Sequence, residues 1–178
     1  MKVSSLAWLG LAAAGLAGCA REAGIEPTPM ATHARADVRD AGGRTLATAE
    51  ATEAGGGLRL RIEAAGLAPG TYAAHVHGVG RCDAPGFESA GAHWNPLDRE
   101  HGTSNPAGPH MGDLPNLMVG SNGEGSLEMT IAGARLGGGA AAMLDGDGAA
   151  LVIHARPDDY RTDPSGNSGG RIGCGAFG

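Results

Sequence analysis

Large aromatic side chains are scarce in this sequence. Trp, Tyr and Phe together make up 3% of its 178 residues, so the core must be packed from Leu, Val, Ile and Ala. Basic clusters are missing as well. Against 19 acidic residues stand 13 Lys and Arg, giving a formal charge of −6, and no stretch concentrates the cations. A nucleic-acid partner needs a basic face and is excluded on that ground. Helical periodicity is missing too. No capped stretch repeats its apolar residues at helix spacing, and the best candidate, Leu136–Leu144, is too rich in glycine to hold a helix. Cysteine is limited to three residues. What remains is glycine, 33 residues of it, in a chain that is 42% apolar. That composition suits short strands and many turns, and it is too apolar for a disordered chain. The length fits one domain plus a leader.

The leader occupies residues 1–18. Lys2 supplies a positive start, and Leu6 to Leu16 supply an apolar run too short to span a bilayer. It ends Leu16-Ala17-Gly18-Cys19, which resembles a bacterial lipobox, the type of signal whose cysteine is lipidated. The resemblance implies a periplasmic protein held to a membrane, the outer one being expected, by a lipid on Cys19. Residues 19–33 contain prolines and no period, and read as a flexible tether. His33, at its end, reads as a solvated surface histidine. The folded domain is expected over 34–178.

Within that domain the pattern is β. Leu58-Arg59-Leu60-Arg61-Ile62 and Leu127-Glu128-Met129-Thr130-Ile131 alternate strictly, each placing one face in a core and one in water. Glycine-rich turn signals precede both. Thr45–Thr52, Thr71–His77, Asn116–Val119 and Ala149–His154 are further strands, and Val38 and Ile172 lie in weaker ones. The fold class is all-β, a sandwich or barrel of about eight strands. Residues 78–114 and 155–171 fit no strand. They are long, polar and rich in Gly, Pro, Asn and Asp, as functional loops are.

Chemistry concentrates in the first of these loops and the strand before it. Five of the seven histidines, His75, His77, His93, His101 and His110, fall between Gly70 and Asp113. Imidazole is the commonest protein ligand for copper and zinc. His75 and His77, one residue apart on a strand, point to one face about 6–7 Å apart and can converge on an ion while Val76 packs inward. His101, His110 and Asp113 form a second group that suits tetrahedral zinc. Asp113 alone would also serve as a turn residue. His93 lies between the groups and can serve either. His154 ends an apolar strand, where a lone histidine is normally a satisfied core residue, but beside an H-x-H pair it becomes a third ligand. Outside the cytosol Cys82 and Cys174 are an even pair suited to a bridge; a thiolate metal ligand is the rival use.

The motifs in order are His75-Val76-His77, Gly91-Ala92-His93-Trp94-Asn95-Pro96, Glu100-His101-Gly102 and His110-Met111-Gly112-Asp113-Leu114. They continue through Val152-Ile153-His154, Asp158-Asp159, Asp163 to Gly169 and Arg171-Ile172-Gly173-Cys174-Gly175. Together they resemble a bacterial Cu,Zn superoxide dismutase over roughly residues 34–178. The resemblance implies an eight-stranded Greek-key β-barrel with a Cys82–Cys174 disulfide. It implies copper on His75, His77, His93 and His154, and zinc on His93, His101, His110 and Asp113, with His93 bridging the two. Asp158 would link His75 to His101, and Arg171 would guide superoxide to a copper ion that alternates between Cu(II) and Cu(I). His93 would carry a proton to the reduced oxygen. A homodimer is among the assemblies it allows. The loop after Asp158 offers no lysine or glutamate set for long-range steering, which leaves that task to Arg171.

Other readings compete with this one. Gly166-Asn167-Ser168-Gly169-Gly170 matches a nucleophile elbow in letters but lacks the preceding buried strand and following helix. Asp145-Gly146-Asp147-Gly148 lacks the closing glutamate of a calcium loop and reads as a turn. A zinc hydrolase would need a base such as Glu88 or Glu100 beside the metal. A periplasmic copper- and zinc-binding protein of the same fold, without turnover, is the serious alternative.

Overall fold

Alternation in the sequence becomes a curled antiparallel sheet in the computed structural model, which describes Met1 and residues 32–178. The expected leader, Cys19 and almost all of the tether lie outside the described residues. Nine strands are present among those described. They are β1 (His33–Arg39), β2 (Thr45–Ala54), β3 (Gly57–Ala64), β4 (Gly70–Tyr72) and β5 (Ala74–His77), followed by β6 (Leu117–Val119), β7 (Gly125–Ala132), β8 (Ala150–His154) and β9 (Arg171–Ala176). Seven form one sheet in the order β5-β8-β9-β1-β2-β3-β7, and β4 pairs with β6 in a second. Strands distant in sequence are neighbours, so the connections cross over the sheet in Greek-key fashion. The only helical element described is a single 3-10 turn, Glu88–Ala90.

Two expectations shift. Thr71–His77 is not one strand. It breaks at Ala73, whose N–H donates to Arg156 O and whose carbonyl accepts from His154 N, so the chain leaves one sheet and joins the other. That break raises the count to nine. His33 opens β1 rather than ending the tether, though it is exposed as expected.

The inward face is aliphatic and finely graded in size. Leu58, Leu60 and Ile62 of β3 stand opposite Ile131, Met129 and Leu127 of β7, and Leu60 and Ile62 stand opposite Ala51 and Ala49 on β2. Small residues on β1 and β2 let the sheet curl over the bulkier β3 and β8 side chains. Apart from the partly buried Met129 these residues are buried, and Trp94 and Phe177 are the only Trp, Tyr or Phe residues among the buried members of the cluster. Outward, Arg59, Arg61, Glu50, Glu63 and Glu128 form an exposed charged face, whose ion pairs add little to stability.

At the other end of the sheet, β5 and β8 are buried on both faces. Val76, Leu151 and Ile153 belong to the main core, and Ala150 and Val152 pack with Phe87, Ala90 and Cys174 in a second cluster. This double cover explains why Ala150–Ile153 is a continuous apolar run instead of an alternating one. The cover on β5 is the long loop 78–116, fastened at Val76. Trp94 N donates to Val76 O, and Val76 N donates to Gly112 O. A side chain at Gly112 would bring a Cβ within 2.2 Å of Val76 O, so only glycine lets the loop come this close. A disulfide joins Cys82 of the loop to Cys174 of β9 with Cα atoms 5.6 Å apart.

Candidate metal centre

Period-two geometry sets the first cluster. Val76 turns into the core, so His75 and His77 turn outward beneath the loop. Antiparallel β8 brings His154 alongside, with its N–H bonded to Ala73 O, and the loop adds His93 through a bridge to His77. One ring nitrogen from each of His75, His77, His93 and His154 lies within 4.8 Å of all the others.

The opposite nitrogens of these rings are tied down. His77 Nδ1–H donates to Gly91 O at 2.9 Å, and His154 Nδ1–H donates to Gly169 O at 3.2 Å. His75 Nε2–H donates to Asp158 at 2.9 Å. Carbonyl and carboxylate partners accept only, so each ring is fixed in one tautomer and its other nitrogen carries a bare lone pair. Those lone pairs, on His75 Nδ1, His77 Nε2 and His154 Nε2, are buried and without partners, as is His93 Nε2. Four orphaned acceptors facing one another cannot satisfy each other; a soft or borderline cation satisfies all four.

The second cluster converges on one oxygen. Asp113 Oδ1 lies 2.8 Å from His93 Nδ1, 3.0 Å from His101 Nδ1 and 3.1 Å from His110 Nδ1. The His101 contact is within ion-pair distance yet is not aligned for a hydrogen bond, and its Nδ1 counts as unpartnered. His93 and His110 bond to this oxygen and His101 Nδ1 does not, yet all three nitrogens converge on one point, as ligands of a shared ion do. Three nitrogens and one carboxylate oxygen are a tetrahedral zinc set. The other carboxylate oxygen accepts from Gly102 N and His110 N, so the expected turn role of Asp113 is also real. His75 is near enough to be grouped with His93, His101 and Asp113. Because its free Nδ1 already faces the first cluster, His110 is the better fourth member here. His93 alone offers a nitrogen to each side.

Asp158 ties the clusters from behind. Its buried carboxylate accepts from His75 Nε2 on one oxygen and from His101 Nε2 and Tyr160 N on the other. The approach is so close that a Cβ at Gly166, where φ is +64°, would sit 1.7 Å from Asp158 Oδ1. Asn116, expected only as the start of a strand, holds this loop in place. Its side-chain oxygen accepts from Asp158 N, and its amide donates to Asp158 O. Nothing in the sequence signals this, because the pair is far apart in the chain and Asn is an ordinary turn residue.

Burial sets the charge of the rings before any ion binds. Desolvation, reinforced by repulsion from His93, pushes His77 down to about 2. Desolvation with repulsion from His75 pushes His154 down to about 3. His93 is lowered to about 4 by burial, with Asp113 opposing. At neutral pH these rings are uncharged, as a metal ligand must be. His101 goes the other way. Burial lowers it, but the carboxylates of Asp113 and Asp158 on either side prevail and hold it at about 9.

The first cluster opens to solvent through a cavity of about 450 Å³ lined by His77, His93, His154, Glu88 and Arg171 among others. The Arg171 guanidinium donates to Phe87 O and Gly91 O, both at 2.7 Å, and so stands fixed beside the imidazoles. Every residue expected at the centre is therefore brought together, while His33 lies apart on exposed β1. Ser168 of the elbow-like pentapeptide is buried within the loop after β8, with no strand-to-helix turn around it.

Fold and site together define a β-barrel metalloprotein with two adjoining histidine centres, one beside the cavity that Arg171 lines and one gathered around Asp113. Residues 43–177 match the family model described as copper/zinc superoxide dismutase. "Superoxide dismutase [Cu-Zn] 1" of Aquifex aeolicus is 39% identical over 148 residues, 82% of this chain and 86% of that protein. "Superoxide dismutase-like protein YojM" of Bacillus subtilis is 49% identical over 123 residues, 68% of this chain and 63% of that protein. A crystal structure of a superoxide dismutase-like protein from Bacillus subtilis superposes with a TM-score of 0.76 at 43% identity, covering 80% of this chain and 96% of that one. The chain belongs to the copper/zinc superoxide dismutase family, and its histidine clusters suit copper and zinc.

Proposed function

We propose that this protein converts two superoxide ions and two protons to O2 and H2O2. The observation that carries the reading is the set of four bare imidazole nitrogens, three of them on rings that line an open cavity with Arg171 and the fourth on buried His75 behind them. His75, His77, His93 and His154 would hold copper; His93, His101, His110 and Asp113 would hold zinc. Copper supplies the one-electron redox couple, and zinc supplies charge and rigidity without redox chemistry. The chain's own residues do the rest. Arg171, pinned by two carbonyls, attracts the anion and fixes its position beside the imidazoles. Asp158 fixes the tautomers of His75 and His101 so that each turns its Nδ1 to the site. His93 Nε2 faces the cavity-side cluster, where it can take up a proton and pass it to a bound oxygen. Purified protein loaded with one equivalent each of copper and zinc should remove superoxide, and His75→Ala should abolish that removal. A fully loaded protein without turnover would refute the reading.

The second reading is a copper- and zinc-binding protein of the same fold that does not turn over. What favours it is the similarity to a relative named only as superoxide dismutase-like. What favours the enzyme is that no position of the four-histidine set is missing here. The same loading experiment separates them.

We further propose that the domain works in the periplasm, tethered through a lipid on Cys19, with the outer membrane as its site. The support is the Leu16-Ala17-Gly18-Cys19 sequence alone. Cys19→Ala should move the protein from the membrane fraction to the soluble one; unchanged fractionation would refute the anchor.

A further inference from the structure

The cavity is much larger than its substrate. A diatomic anion occupies roughly the volume of a water molecule, near 30 Å³, whereas the cavity holds about 450 Å³. Size alone therefore cannot keep phosphate or small carboxylates away from Arg171. One other charged residue lines the same cavity, Glu88. It stands on the 3-10 turn Glu88–Ala90, between the two carbonyls that hold Arg171, Phe87 O and Gly91 O. Glu88 O accepts from Gly91 N, and Gly91 O also accepts from His77. One short turn thus fixes the guanidinium, a histidine of the cluster and the backbone that carries Glu88 relative to one another. The carboxylate lies over Gly86, where any Cβ would come within 2.3 Å of its oxygens. Among the described residues no ion pair or hydrogen bond engages it.

We propose that Glu88 is a specificity-determining residue, an anion filter that admits a small monoanion to Arg171 and turns away larger or doubly charged ones. This rests on the dismutase reading of the cavity. A diatomic anion at Arg171 makes its close contacts with the guanidinium and stays clear of the carboxylate. A tetrahedral oxyanion must place oxygens toward Glu88, acceptor against acceptor. Repulsion scales with charge, so a dianion is opposed twice as strongly as a monoanion.

The test is anion affinity in the copper- and zinc-loaded protein, read by optical titration with azide and by displacement of azide with inorganic phosphate. Glu88→Gln should tighten azide about fivefold at low ionic strength, and phosphate dianion by roughly the square of that, about 25-fold. Both gaps should close near 1 M salt, where the screening length falls to about 3 Å. Glu88→Asp should stay within about twofold of the parent, as should Glu124→Gln in the exposed turn before β7. Equal changes for azide and phosphate, no change for either, or gaps that persist in high salt would overturn the proposal. Superoxide removal is measured alongside. A parent protein that binds azide without turnover would sink the dismutase reading while the comparison of anions still decides Glu88.

Discussion

Replacing Asp158 with Asn should weaken the two metal sites unequally. The Asp158 side chain is fully buried and receives three donors, His75 Nε2–H on Oδ2, and His101 Nε2–H with Tyr160 N–H on Oδ1. An asparagine has the same shape but only one acceptor. Its oxygen will take the Oδ1 position, where two donors converge, and its NH2 will then face His75 Nε2–H. Donor against donor in a buried site costs about 1–3 kcal/mol. His75 can escape only by moving its proton to Nδ1, which removes the lone pair it turns to the open cluster. Copper affinity should therefore fall about tenfold to a hundredfold, the usual range for losing such a supporting partner. Zinc affinity, with the His101 bond kept, should change by less than about threefold. Competition titrations with a chelator, run for each metal on the purified protein, measure both. Equal losses for the two metals, or no loss of copper affinity, would refute the tautomer argument.

Two further outcomes follow from the same structure. Cys82 and Cys174 close a loop with a sequence separation of 92 residues, which in the chain-entropy model stabilises the fold by about 4.6 kcal/mol. The double Cys→Ala variant should lose most of that in a urea titration, and a loss below about 1 kcal/mol would show that the loop is held by its other contacts. Stability of the metal-free protein should fall as the pH drops below about 6.5. Burial lowers His77 to about 2, His154 to about 3 and His93 to about 4, so the unfolded chain binds protons there that the folded one refuses. Each ring contributes at most about 1.4 kcal/mol per pH unit. His101, raised to about 9, acts with the opposite sign. Its stabilisation is complete below its unfolded value and is lost as the pH rises through 9. A metal-free protein with equal urea midpoints at pH 7 and pH 5 would contradict the buried, neutral state of these rings.

Strand identity was largely readable before any coordinates, because a half-buried strand must alternate and β3 and β7 do so without a fault. The weaker strands holding Val38 and Ile172 are present as β1 and β9. The break at Ala73 was not readable, since it arises from hydrogen bonds to Arg156 and His154, about eighty residues away in the chain. Glu88 illustrates the same limit. In the sequence it is a loop glutamate that reads only as a hydrolytic base, and the fold puts it in the lining of the cavity that holds Arg171.

By itself the sequence pointed to the ligand types and the all-β character. Ligand chemistry requires histidine and carboxylate side chains, and strand burial requires a period of two, and both are local properties written in the residues. Tertiary structure alone decided which nitrogen of each ring is free. That choice depends on the acceptor behind it, Gly91 O for His77, Gly169 O for His154 and Asp158 for His75. Those acceptors are backbone carbonyls and one carboxylate delivered by loops from elsewhere in the chain, and a backbone carbonyl leaves no mark in a sequence.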